Sequence, residues 1–301
     1  MKLSYYPGCS LHSTAREFAV STEAVFEALG IELQELADWC CCGATSGHAL
    51  NNYLHYSLPL YNLIMAEAAA NEALVVPCAA CYNSLKSAQA FIAGGSSAAM
   101  KLKQKVETAL KMQYQGKISV RHVLEVLTDK RVQEVLVSRL KKDLADMPVV
   151  AYYGCLLTRP PKIANFEANP EQPQLMDRLL QTIGAKPLGW THKNECCGAS
   201  LAIPQPQLLT DLVGKITAAA RRAGAVAIVT ACPLCQTNLD GRQQNGESPL
   251  PVFFITEIIG LALGLNIKPW FKKHLISPWP VLRQMKLQLA SGEKGCDCHD
   301  C

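Results

Sequence analysis

Trp39-Cys40-Cys41-Cys42-Gly43-Ala44, followed by Leu74-Val75-Val76-Pro77-Cys78-Ala79-Ala80-Cys81, is answered later in the chain. The answering stretches are Asn194-Glu195-Cys196-Cys197-Gly198-Ala199 and Ile228-Val229-Thr230-Ala231-Cys232-Pro233-Leu234-Cys235. Each set is preceded by one more cysteine behind a tyrosine pair, Tyr5-Tyr6-Pro7-Gly8-Cys9 in the first copy and Ala151-Tyr152-Tyr153-Gly154-Cys155 in the second. Between the first cysteine and the vicinal pair lie 31 and 40 residues, and between the pair and the C-x-x-C lie 35 and 34. An ordered recurrence of five cysteines at such intervals means an internal duplication, which constrains the architecture before any single element is assigned. The chain divides into a first half, residues 1–146, a second half, 147–290, and a cysteine-rich tail, 291–301.

Short β-branched or aromatic runs at residues 2–6, 73–76, 149–153 and 225–229 alternate with helical stretches. That alternation predicts βα units, so the fold class is α/β: two pseudo-repeated halves, each a small, mainly parallel sheet with flanking helices. Helices are expected over 13–29 and 174–183, each closed by a glycine, Gly30 and Gly184, suited to the left-handed position after a helix. Both C-x-x-C motifs fall where a buried strand turns into a helix. The helix N-terminus there offers free N–H groups and positive potential to thiolates. Residues 94–116, lysine-rich and present only in the first copy, read as a solvated surface helix. The longest apolar stretch, 252–265, carries Glu257 and is shorter than the ~20 residues a membrane span needs, so it reads as a buried or interface helix. The run 249–254 leading into 255–263 resembles 120–127 of the first copy, so a closing helix is expected.

The chain has 301 residues and a hydrophobic share of 49%, enough to bury a core without metal or disulfide staples. Its charged share of 18% lies below the usual value of about 25%, and disordered or collagen-like classes are excluded. A net charge of +4, with basic residues scattered among acids, argues against a nucleic-acid groove. The opening residues Met1 to Gly8 hold no apolar run of signal-peptide length, so a cytoplasmic location is expected. In that compartment thiols stay reduced, and 14 cysteines read as metal binding or redox chemistry rather than as disulfides.

Three kinds of chemistry compete for the repeated cysteines. Structural zinc takes four ligands, commonly two C-x-x-C pairs about fifteen to twenty residues apart, a scheme the vicinal pairs and distant fifth cysteines fit badly. A thioredoxin-like dithiol needs only the C-x-x-C and leaves three cysteines per half without a role. Iron–sulfur ligation suits an all-thiolate set, yet ordinary four-iron clusters take four cysteines and each half offers five. Either one thiol is a reactive group beside a conventional cluster, or the cluster is an unconventional one in which a thiolate bridges two irons. Cys41-Cys42 and Cys196-Cys197 bring two sulfurs close together, as bridging requires.

The double pattern of Cys9, Cys41-Cys42-Gly43, Cys78 and Cys81, then Cys155, Cys196-Cys197-Gly198, Cys232 and Cys235 is similar to the paired CCG domains of the B subunit of heterodisulfide reductase. The resemblance runs from residue 5 to about 265 and extends to the related subunits of bacterial heterodisulfide-reductase-like complexes. It implies that each half holds a non-cubane [4Fe-4S] cluster through its five cysteines. It further implies that a disulfide, or a related sulfur–sulfur bond, is cleaved or formed between the two clusters, one electron from each. No ferredoxin-like C-x2-C-x2-C-x3-C-P run is present, so the expected partners are the ferredoxin-like [4Fe-4S] protein and the flavoprotein that serve as the C-type and A-type subunits of such complexes. An electron-relay role in a sulfur-oxidising or hydroxy-acid-oxidising complex is the alternative the same kinship allows.

Cys40 precedes the first vicinal pair, but Glu195 occupies that place in the second copy, so Cys40 is read as a bystander. His12 and His48 lie near the first set as possible proton donors, although Thr158 replaces His12 in the second copy. Cys296, Cys298 and Cys301 belong to the tail, which is expected to be disordered. Lys141-Lys142, Arg221-Arg222 and Lys272-Lys273 read as solvated or docking faces.

Overall fold

In the computed structural model, which describes residues 1–44, 47–243 and 249–286, the duplication appears as two sheets of the same topology. The first comprises β1 (Lys2–Tyr5), β2 (Glu32–Glu35), β3 (Ala73–Val76) and β4 (Ser119–His122) in the order β2-β1-β3-β4. The second comprises β5 (Pro148–Tyr152), β6 (Lys186–Pro187), β7 (Ala227–Thr230) and β8 (Val252–Phe254) in the order β6-β5-β7-β8. Every pairing between these strands is parallel. The central strands β3 and β7 are buried along their whole length, which is why they read as continuous apolar runs. The edge strands leave little sequence trace: β2 is Glu-Leu-Gln-Glu and largely exposed, and β6 is only Lys186-Pro187, proline being tolerated at a sheet edge.

Two predicted helices are corrected. The stretch expected to be helical from 252 begins with β8, and the helix starts only at Ile255–Ala262; likewise 120–127 opens with β4 before the helix Val123–Leu127. A short apolar run cannot distinguish a buried strand from a buried helix, so periodicity alone misses the boundary. The switch is fixed by the same device in both halves: the Glu125 carboxylate accepts the His122 N–H at 2.7 Å, and Glu257 accepts that of Phe254 at 2.9 Å. The helix expected over 13–29 is Arg16–Ala28, preceded by a separate turn of helix at Gly8–Leu11. Gly30 and Gly184 do follow their helices in the left-handed region, at φ +75° and +83°.

The first-copy insertion forms the helix Ser97–Leu110, but it is not wholly solvated, because Ala99, Leu102 and Val106 are buried. The backbone beyond it is gathered by Glu67, whose carboxylate accepts the N–H groups of Gln115 at 2.7 Å and Lys117 at 2.6 Å. The cysteine-rich tail, 291–301, lies outside the described residues. Among the described residues no helix is long and apolar enough to cross a membrane.

The halves are packed on each other. Phe18 stacks on Phe254 at 4.2 Å, and Ser21 shares a hydrogen bond of 2.7 Å with Thr256, joining the helices Arg16–Ala28 and Ile255–Ala262. On the other flank the Tyr82 hydroxyl donates to the Ala164 carbonyl at 2.8 Å, and the Asn83 amide donates to the carbonyls of Leu156 and Arg159.

Candidate functional site

In an open parallel sheet, the crevice for a ligand forms outside the carboxyl ends of the strands where the strand order reverses. Here that point lies between β1 and β3 in one half and between β5 and β7 in the other. Cys9 follows β1 and Cys78 follows β3; Cys155 follows β5 and Cys232 follows β7. The topology therefore delivers both ends of each cysteine set to the switch point, and the loops after β2 and β6 bring in the vicinal pairs.

Cys78 and Cys232 are the N-caps of the helices Ala79–Ala93 and Pro233–Gly241, so Cys81 and Cys235 stand in the first helical turn, where the helix dipole favours negative charge. The Sγ atoms of Cys42 and Cys81 are 3.3 Å apart, and those of Cys197 and Cys235 are 3.4 Å apart. Gly43 donates its N–H to Cys41 Sγ at 3.4 Å, and Gly198 repeats the contact on Cys196 Sγ at 3.3 Å. Gly8 and Gly154 both adopt φ +70°, and a Cβ on either would come within 3.0 Å of Cys81 Sγ or 2.9 Å of Cys235 Sγ respectively. Only glycine lets the loop of the first cysteine close over the C-x-x-C. In each half three thiols are buried (Cys42, Cys78 and Cys81; Cys197, Cys232 and Cys235), while Cys9, Cys41 and Cys196 reach solvent and Cys155 is half-buried.

Crowded thiols divide the charge among themselves. Hydrogen bonds from Cys42 and Cys9 lower the Cys41 pKa to about 2, and that from Cys155 lowers Cys196 to about 6. The neighbours shift in the opposite direction: the bond to Cys41 pushes Cys42 up to about 11 and raises Cys9, and the bond to Cys196 raises Cys155. Across the boundary between halves Cys232 is held well below the usual thiol range by hydrogen bonds from Cys235 and Cys78, while Cys78 is raised by its bond to Cys232. The two quintets thus adjoin through Cys78 and Cys232.

The second copy opens onto a cavity of about 280 Å³ lined by all five of its cysteines, with His55, Asn83 and Ser84 contributed by the first half. Five thiols around one space, glycines that leave room for sulfur, and helix N-termini that offset anionic charge are a donor set that fits an iron–sulfur cluster. Among the described residues no group of three or more His, Cys, Asp or Glu side chains is arranged to hold a single metal ion.

Several site residues carried no motif signal. Ser84 and Asn238 each lie three positions after the last C-x-x-C cysteine; Ser84 donates to the Cys42 carbonyl at 2.9 Å and Asn238 to that of Cys197 at 3.2 Å. Spacing of three on one helix face is the trace they leave in the sequence. Tyr6 donates to the Cys40 carbonyl and Tyr152 to that of Glu195, both at 2.7 Å. Counting back from the cysteine, Tyr6 and Tyr152 are thus the equivalent pair. His122, fully buried at the end of β4, has its pKa lowered to about 4 by burial and is neutral at pH 7.

Other candidates fall away from the thiols. Cys40 Sγ faces the carbonyls of Cys41 and Leu58, and its backbone is clamped by Asn62 through two contacts of 2.9 Å. His12 pairs with Glu35 at 3.1 Å on the exposed surface. The side chain of His48 lies outside the described residues. None of the paired basic residues lines the cavity.

A family model described as a cysteine-rich CCG domain matches residues 3–86 and 149–240. The chain is 30% identical over 282 residues to the membrane anchor subunit of an 8-methylmenaquinol:fumarate reductase of Wolinella succinogenes, covering 91% of this chain and 96% of the relative. It is 29% identical over 278 residues to the B subunit of a ferredoxin/F(420)H(2)-dependent CoB-CoM heterodisulfide reductase of Methanosarcina acetivorans, covering 88% and 90%. A protein of Archaeoglobus profundus described as similar to the heterodisulfide reductase B subunit is 27% identical over 276 residues, covering 88% and 92%. A solved structure of a hypothetical protein from Helicobacter pylori superposes with a TM-score of 0.71 at 13% identity, covering 92% of this chain and about half (52%) of that one; this likeness concerns the fold alone.

Proposed function

Because the chain belongs to the cysteine-rich CCG domain family, with heterodisulfide reductase B subunits among its relatives, we propose that it is the redox-active subunit of a heterodisulfide-reductase-like complex. It acts on a small disulfide or a related sulfur–sulfur bond. In this reading Cys9, Cys41, Cys42, Cys78 and Cys81 hold one [4Fe-4S] cluster and Cys155, Cys196, Cys197, Cys232 and Cys235 a second, both non-cubane. The observation that carries it is the pair of thiol quintets at equivalent switch points, adjoining through Cys78 and Cys232.

Clusters bound there would supply single electrons and irons able to accept sulfur, which suits a bond whose reduction needs two electrons and two protons. The protein's own contribution is placement. The mainly apolar wall of the cavity accepts the organic stem of a disulfide and excludes water, strengthening the electrostatics within. His55, reaching in from the first half, stands where a leaving thiolate would take up a proton, while Asn83 holds the Leu156 and Arg159 carbonyls of the opposite wall in place. Helix N-termini at Cys78 and Cys232 offset the added negative charge of the reduced state.

Electrons would arrive from a ferredoxin-like [4Fe-4S] protein and, behind it, a flavoprotein, in the cytoplasm. A relay role without substrate chemistry is the second reading, favoured by the 30% identity to part of a fumarate reductase. The two are separated by paramagnetic spectra of anaerobically prepared protein before and after addition of a small disulfide. The substrate-binding reading expects a changed cluster signal and release of thiol from the reduced protein; an unchanged spectrum with no thiol released leaves only the relay.

A further inference from the structure

His122 ties the backbones of the two C-x-x-C loops to each other. Its ring lies at the end of β4, fully buried, edge-on to Tyr82 at 5.7 Å and to Phe166 at 6.1 Å. Nδ1 accepts the Leu124 N–H at 3.3 Å, which caps the helix Val123–Leu127 and assigns the proton of the neutral ring to Nε2. Nε2–H then faces two carbonyls, Pro77 at 2.9 Å and Ala231 at 3.1 Å. These are the peptides that lead directly into Cys78 and Cys232, one from each half. The second half does not return the contact: the residue at the equivalent strand end is Phe254, occupied in stacking on Phe18. A single bifurcated hydrogen bond therefore spans the point where the two cysteine quintets adjoin.

The geometry points to His122 as a positioning residue that sets the separation of Cys78 from Cys232, and through it the coupling between the redox centres of the two halves. The statement about spacing stands on the protein alone; the statement about coupled centres rests on the proposed function. Two substitutions separate the bridging role from the capping role. His122→Asn keeps an acceptor where Nδ1 caps the helix but is too short to reach the carbonyls. His122→Gln gives up the cap and carries an amide N–H to about the position of Nε2.

The test begins with the metal-free full-length chain. Diamide takes the two thiol hydrogens of Cys78 and Cys232 as their sulfurs join, and the cross-linked peptide pair is quantified by mass spectrometry. We expect His122→Asn to lower the Cys78–Cys232 yield by roughly fivefold or more, since a displacement near 1 Å is enough to suppress a proximity-dependent step, and His122→Gln to stay within about twofold of the parent. An unchanged yield in His122→Asn, or an equal loss in both variants, overturns the assignment. The same variants are then loaded with iron and sulfide, and the magnetic interaction between reduced centres should weaken in His122→Asn and persist in His122→Gln. Cross-linking that behaves as expected in a protein unable to load iron would uphold the spacer role and remove the proposed function instead.

Discussion

In a Cys235→Ser protein prepared without oxygen, iron content is expected to fall to about half that of the parent, because under the proposed function each half loads its own cluster and only the second is lost. Cys235 sits in the first turn of its helix with its sulfur 3.4 Å from Cys197, at the centre of the second quintet. A serine there is nearly isosteric, so the helix and its packing against β8 persist, but a hydroxyl does not ionise near neutral pH and is a poor ligand for iron. Cys81→Ser, in contact with Cys42 at 3.3 Å, should give the mirror result, with the opposite half of the spectrum missing. Cys40→Ser is the internal control. Its sulfur faces backbone carbonyls rather than the other thiols, so full iron content is expected. Loss of all iron in Cys235→Ser would mean that the halves do not load independently, and retention of all iron would remove Cys235 from the ligand set.

The second large effect lies far from the thiols. Glu257 and His274 form an ion pair at 2.9 Å with both side chains wholly buried, and the same carboxylate accepts the Phe254 N–H that starts the closing helix. Removing one member of a buried pair leaves the other charge stranded, at a cost of about 3–5 kcal/mol, and Glu257→Ala also gives up the cap. Thermal unfolding should show a correspondingly large drop, with Glu257→Gln less affected because it can still accept from the Phe254 N–H. The pH dependence has a definite sign. Burial disfavours protonated His274, but the charge of Glu257 and its hydrogen bond, helped by Asp240 and Glu17, raise the pKa above the ordinary histidine value. A pKa raised by folding contributes stability that is fully present below about pH 6.5, the unfolded value, and is lost as pH rises through the folded value. Burial raises Glu17 and Asp240 as well, which acts in the same direction at lower pH. The stability difference between parent and Glu257→Gln should therefore shrink with rising pH above that range. A difference that grows instead would contradict the pairing.

The sequence was most informative where the duplication could be compared with itself. The same order of matching cysteines in the two copies located the carboxyl ends of β1, β3, β5 and β7, and Ala73–Val76 was identified to the residue because a fully buried strand needs an unbroken apolar run. Outer strands were less legible. Glu32–Glu35 pairs along β1 but shows solvent most of its length, so nothing in its composition marks it as a strand. Val252–Phe254 was hidden inside a longer apolar stretch, and the turn into Ile255–Ala262 depends on Glu257 reaching back to one backbone N–H. The site was legible in its sulfur atoms and not in what holds them. Tyr6, Ser84 and Asn238 act on carbonyls beside the cysteines, and His122 acts on carbonyls from two loops far apart in the chain. Contacts to backbone carry no residue preference that a single sequence can display.

Under the proposed function each half wraps five thiolates around its own iron–sulfur centre. Oxygen-free purification followed by parallel determination of iron, acid-labile sulfide and zinc on the intact protein tests it most directly. Two [4Fe-4S] clusters predict about eight irons and about eight sulfides per chain with zinc absent. A well-folded protein that carries zinc without labile sulfide, or that stays free of iron after reconstitution, would contradict it.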